Sequence, residues 1–189
     1  FLLSSKIRTK IKKIKKSQKI FKDCKENLIK DLNFKLTNDQ ESAIKIINED
    51  LKSKSRMFRL LQGDVGSGKT IVSMIAAVNS INAGYQASFM VPTEILAKQH
   101  FSFASKYLPK NIKVQMLTGK SKFSERKKIL ENLKNGNIDF LIGTHSLFQK
   151  KVEYKKLGLI IIDEQHKFGV RQRKELSEKG GNNCDVLVM

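Results

Sequence analysis

Phe58-Arg59-Leu60-Leu61-Gln62 runs directly into Gly63-Asp64-Val65-Gly66-Ser67-Gly68-Lys69-Thr70, and Ile71 onward continues as an apolar helical pattern to Ala83. A short apolar strand, a glycine-rich turn of the form G-x-x-x-x-G-K-[ST] and a helix in immediate succession spell a phosphate-binding loop. The glycines let the backbone curl so that successive N–H groups point inward, and the helix N-terminus adds the positive end of its dipole. On this reading Gly63, Gly66, Ser67 and Gly68 form the cradle. Lys69 would reach the β- and γ-phosphates of a nucleotide, and Thr70 would ligate Mg²⁺.

The same alternation extends outward from this stretch. Short apolar runs at 58–62, 87–91, 113–117, 139–142, 157–162 and 185–189 alternate with helical patterns near 40–51, 69–83, 93–107, 122–133 and 171–179. Leu159-Ile160-Ile161-Ile162 and Val186-Leu187-Val188 are apolar throughout, as expected of strands covered on both faces. Strand and helix in turn predict βαβ units, an α/β fold with a mostly parallel sheet over residues 36–189. Chemistry in such sheets gathers at the carboxyl ends of the strands.

A phosphate loop needs an acidic partner to hold the metal and a base for water. The strand 157–162 ends in Asp163-Glu164, which places both carboxylates at the carboxyl edge of the sheet. Asp163 would bind Mg²⁺, and Glu164 would orient and deprotonate the attacking water. An Asp-Glu pair after a strand is by itself an ordinary turn. Downstream of a phosphate loop in an alternating chain, the catalytic reading prevails.

Composition sets the bounds. The 189 residues carry 37 Lys+Arg against 18 Asp+Glu, a formal charge of +19, and 40% are apolar. That apolar share excludes a wholly disordered chain, and no apolar run approaches a membrane-spanning length. The surplus suits a polyanion partner, although Lys outnumbers Arg 31 to 6, a skew that an AT-rich coding sequence also produces. Cys24 and Cys184 form no C-x-x-C pair, so a zinc site or disulfide framework is not expected and a reducing cytoplasm is. Nearly half of the surplus lies in residues 1–35, with 12 Lys+Arg, 3 Asp+Glu and neither Gly nor Pro. There Ile7, Ile11, Ile14, Phe21, Leu28 and Leu32 recur every three, four or seven residues, which predicts a basic amphipathic connector helix. The first residue is not Met and the last five read as a strand cut before its turn, so a piece of a longer protein is expected.

Set in order, these motifs resemble superfamily-two helicases. Asp163-Glu164-Gln165-His166 resembles their D-E-x-H motif, Leu36-Thr37-Asn38-Asp39-Gln40 their Q motif, and Pro92-Thr93-Glu94-Ile95-Leu96-Ala97 their motif Ia. Thr118-Gly119 and Gly143-Thr144-His145 resemble the next two nucleic-acid-contacting motifs. Over residues 36–189 the wording 60–70, 92–100 and 163–173 is similar to the RecG family of bacterial branched-DNA helicases. The transcription-repair coupling translocases share the Gly63–Gly66 and Phe168-Gly169-Val170 wording and are the alternative; an inactive nucleotide-binding remnant is a third reading.

The resemblance implies a RecA-like P-loop domain that uses ATP and Mg²⁺ in DNA repair and recombination. It implies that Gln40 reads the adenine edge, although Thr37 and Gln40 also satisfy a helix capping box. Pro92, Thr93, Thr118, Gly119, Thr144 and His145 would line the path of a nucleic-acid strand through sequence-independent phosphate contacts. Gln165 and His166 would couple the nucleotide state to the family's next motif. A second RecA-like domain carrying arginine fingers and a junction-gripping wedge domain are implied outside the 189 residues. Lys167 and Lys120 depart from the family, which commonly has Arg and a small residue there.

Overall fold

In the computed structural model of the chain, which describes residues 19–23, 35–164, 181 and 184–189, six strands form one sheet. The elements in chain order are α1 (Asn38–Lys52), β1 (Phe58–Leu60), α2 (Lys69–Asn82), β2 (Gln86–Met90), α3 (Glu94–Tyr107), β3 (Val114–Leu117), α4 (Phe123–Asn135), β4 (Phe140–Gly143), a 3₁₀ turn (His145–Phe148), β5 (Leu157–Ile162) and β6 (Asp185–Val188). All pairings are parallel, in the order β1-β6-β5-β2-β4-β3. The six apolar runs are therefore the six strands. The helical pattern near 171–179 lies outside the described residues.

Strand alternation sends side chains to two cores. Ala87, Phe89, Phe140, Ile142, Leu159, Ile161 and Leu187 face a core shared with α1, α2 and α3. Met90, Leu141, Ile160, Ile162, Val186 and Val188 face a second, closed by Ile129 and Leu133 of α4 and by Leu147 and Val152. Helix α2 is buried from Ile71 to Ser80, so the helix that starts at the phosphate loop is anchored in the interior.

The register aligns the strand ends. Leu60 and Ile162 both pair with Val188, Met90 pairs with both Ile162 and Gly143, and Gly143 pairs with Leu117. Leu60, Val188, Ile162, Met90, Gly143 and Leu117 thus form one row across the sheet. The phosphate loop, the Asp163-Glu164 pair and the motifs beginning at Pro92, Thr118 and Gly143 start at or within three residues of that row, whereas residues 36–40 precede β1.

Residues 19–23 take no helical structure, so one helix does not run through residues 1–35; the rest of that segment lies outside the described residues. The reason is visible in the burial. Lys19 and Phe21 are buried while Ile20 and Lys22 are exposed, the period-two pattern of an extended strap rather than a helix. Asp23 follows by accepting hydrogen bonds from Asn48 (2.8 Å) and Asn79 (3.1 Å) on α1 and α2.

Candidate nucleotide site and nucleic-acid edge

The phosphate loop takes its shape from two glycines. Gly66 and Gly68 both have φ +82°, a conformation other residues adopt only with strain. A Cβ on Gly68 would also lie 2.3 Å from Gln40 Nε2. Gly68 caps α2 without any side-chain hydrogen bond to its first N–H groups, which leaves those donors for an anion. Lys69 folds back over the loop, its ammonium donating to the carbonyls of Gly63 and Asp64 at 2.7 Å each. A phosphate entering the cradle would meet a cation already held against the loop.

Across β6 from this loop stand the acids. Two strand spacings separate β1 from β5, about 10 Å, a gap that accommodates phosphate oxygens and a metal ion. Asp163 is pinned by its own N–H to the Met90 carbonyl at 2.9 Å. Glu164 is half-buried with φ +49°, the one non-glycine residue in the left-handed region among the described residues. Such strain costs on the order of 1–3 kcal/mol and concentrates at functional sites. Thr70, Asp163 and Glu164 offer oxygen donors, the chemistry Mg²⁺ takes. The described residues contain no cluster of three His, Cys, Asp or Glu able to cage a metal alone.

Gln40 is engaged at both ends. Its Oε1 accepts from the Thr37 N–H (3.0 Å), the Gln40 N–H donates to Thr37 Oγ1 (3.3 Å), and its Nε2 donates to the Ser67 carbonyl (2.9 Å). The capping box is therefore formed, and the same side chain ties α1 to the phosphate loop.

On the other half of the row, Pro92-Thr93, Thr144-His145 and Thr118-Gly119 follow β2, β4 and β3 side by side. Thr93, Gly119 and His145 are exposed, Pro92 is half-buried, and Thr118 and Thr144 are buried. Thr93 Oγ1 caps α3 by accepting from the Leu96 N–H at 3.2 Å. Thr118 gives its backbone N–H to Ser121 Oγ (3.1 Å), which ties the loop after β3 to itself. Gln165 and His166 lie outside the described residues.

Two features escaped the sequence reading. Glu94 accepts from the Lys120 N–H (3.3 Å) and faces the Lys120 ammonium at 3.4 Å, joining the loops after β2 and β3. His100 Nε2 faces Asp163 Oδ2 at 3.6 Å. The available signal for His100 was its spacing: it lies three residues after Ala97 and four before Ala104, the two buried positions of α3.

The DEAD/DEAH box helicase family profile matches residues 37–186, and the chain belongs to that family. More particularly, it is similar to proteins named ATP-dependent DNA helicase RecG. It is 54% identical to that of Streptococcus pneumoniae over 158 residues, 84% of this chain and 23% of the relative. It is 52% identical to that of Thermotoga maritima (87% and 21%) and 44% identical to that of Borreliella burgdorferi (100% and 28%). The solved structure of RecG bound to a three-way DNA junction superposes with a TM-score of 0.83 at 44% identity, over 100% of this chain and 25% of that one. The fold is thus the RecA-like helicase fold, and the chain spans less than a third of the length of these relatives. No helix among the described residues is long and apolar enough to cross a membrane.

Proposed function

We propose that this chain is the first motor domain of a RecG-like ATP-dependent DNA helicase, which binds and hydrolyses ATP to remodel branched DNA, forks and Holliday junctions, in repair and recombination. One observation carries the reading: the phosphate loop, the Asp163-Glu164 pair and the three strand-end loops all leave one sheet edge at one level. Nucleotide chemistry then occupies the β1-β6-β5 half of the edge and nucleic acid the β2-β4-β3 half.

In this mechanism the N–H groups of the loop and the open end of α2 hold the triphosphate. Lys69, which donates to the Gly63 and Asp64 carbonyls, would turn to the β- and γ-phosphates, and Thr70 and Asp163 would hold the metal. When bound, Mg²⁺ supplies neutralising charge to the phosphate oxygens. Glu164 orients the attacking water and takes its proton. Gln40 contacts the adenine edge while keeping the phosphate loop in place. The exposed Thr93, Gly119 and His145 and the adjoining Pro92 touch the DNA backbone, with Thr118 and Thr144 holding the loops that present them. Gln165 and His166 relay nucleotide state to a second RecA-like domain, and a wedge domain engages the junction. A cytoplasmic location accompanies this reading.

A titration with a fluorescent ATP analogue and Mg²⁺ tests the site, with Lys69→Ala expected to abolish binding. Nucleotide binding unchanged in that variant would overturn the assignment. Arginine fingers contribute about 10³–10⁵ in rate. With those on the second domain, the 189 residues alone should turn ATP over very slowly, with little stimulation by forked DNA. Strong DNA-stimulated hydrolysis would contradict the half-motor reading.

A further inference from the structure

We infer that His100 is a positioning residue that orients the Asp163 carboxylate and links it to helix α3. The inference rests on the nucleotide-site reading above and assigns a residue which that reading leaves idle. His100 Nε2 lies 3.6 Å from Asp163 Oδ2, with the two side chains only 11% and 16% exposed. In nucleotide-free sites such contacts are commonly long and tighten in the working complex.

The imidazole is held for this task. Its ring leans on Phe89 with centroids 4.7 Å apart at 36°, and fully buried Phe89 in turn stacks on Phe140 at 6.4 Å. One face of the ring is thus fixed by the core, while a nitrogen points at the carboxylate. Groups that hold a metal-ligating side chain from behind tune metal affinity by about 10–100-fold. With Oδ2 facing His100 at 3.6 Å, Oδ1 is left for the metal or its water.

The connection also has a direction. Asp163 is held at its backbone by Met90 of β2 and at its side chain by His100 of α3. Between Met90 and His100 lies the 91–93 loop, with exposed Thr93 capping α3 at the nucleic-acid half of the edge. A shift of α3 on contact with a DNA phosphate therefore moves the group that orients the metal-holding carboxylate.

The test uses the 189-residue chain and its His100→Phe, His100→Leu and His100→Gln variants. A fluorescent ATP analogue is titrated in EDTA and across a Mg²⁺ series. Phe keeps the packing on Phe89 but has no donor, Leu lacks a donor should the Phe variant melt early, and Gln restores an N–H. The donor-less variants should need about 10-fold or more Mg²⁺ for half-maximal binding. Affinity in EDTA should be unchanged, and His100→Gln should recover much of the loss. An unchanged Mg²⁺ dependence would sink the inference, as would an equal loss in EDTA or a Gln variant as impaired as Phe. If the parent chain bound no nucleotide, the proposed function would fail instead.

Discussion

Asp185 is fully buried at the first position of β6, where its carboxylate accepts the Met57 N–H at 2.7 Å and pairs with the Lys19 ammonium, itself 1% exposed. Lys19 also lies 4.9 Å from the Tyr85 ring centroid. A buried ion pair contributes little net stability when intact, but losing one partner strands the other charge in a poor solvent. Lys19→Met is therefore expected to destabilise the fold by about 3–5 kcal/mol, read from the denaturant midpoint. Lys22→Met, at the exposed position of the same strap, should change it little. At this scale the sequence was legible wherever a residue type is demanded by chemistry at fixed spacing, as in 63–70 and 163–164. It was silent on Lys19 and Asp185, 166 positions apart, because no local pattern marks a pair that only the fold brings together.

At the scale of elements, strand ends matter more than strand middles. Gly143 closes β4, and a Cβ there would lie 2.1 Å from the Leu117 carbonyl oxygen, which also receives the Ser146 hydroxyl at 2.9 Å. Gly143→Ala must push β3 and β4 apart at the level from which Thr118 and Thr144 depart. Overpacking of this kind costs about 1–3 kcal/mol, to be measured by chemical denaturation. On the proposed function, affinity for forked DNA, read by fluorescence anisotropy, should fall further than that loss of stability alone predicts. The strands and the helices from α1 to α4 follow from apolar period; the Thr37 cap appears where the sequence places it, and Thr93 caps α3 in the same way. The 3₁₀ turn after β4 and the strap at 19–23 do not, since each is stabilised by contacts distant in sequence.

Over the whole molecule, burial also sets a pH limit. Cys184 is fully buried, and desolvation pushes its thiol up from 9.0 to about 12, against the lowering influence of Arg56 and Lys19. Burial likewise pushes the Tyr154 hydroxyl up, against its 2.9 Å hydrogen bond to Ser88. Unfolded, both groups ionise near their ordinary values; folded, both keep their protons. The unfolded state thus holds fewer protons above about pH 9, and stability falls as pH rises from there toward about 12. The denaturant midpoint should be steady up to about pH 8 and decline above about pH 9, while Cys184 resists thiol reagents until the chain unfolds. The sequence by itself determined the α/β class and the family and marked the phosphate loop and the acid pair as candidates, because each depends on residue types in local order and spacing. Only the tertiary structure decided that β6 separates the loop from the acids and that β2 stands beside β5. From that order follow the level row of strand ends, the reach of His100 to Asp163 and the separation of the loop after β1 and the acids after β5 from the loops after β2, β4 and β3. Strand order and register arise from non-local pairing, and the +19 charge of the opening composition carries no information about either.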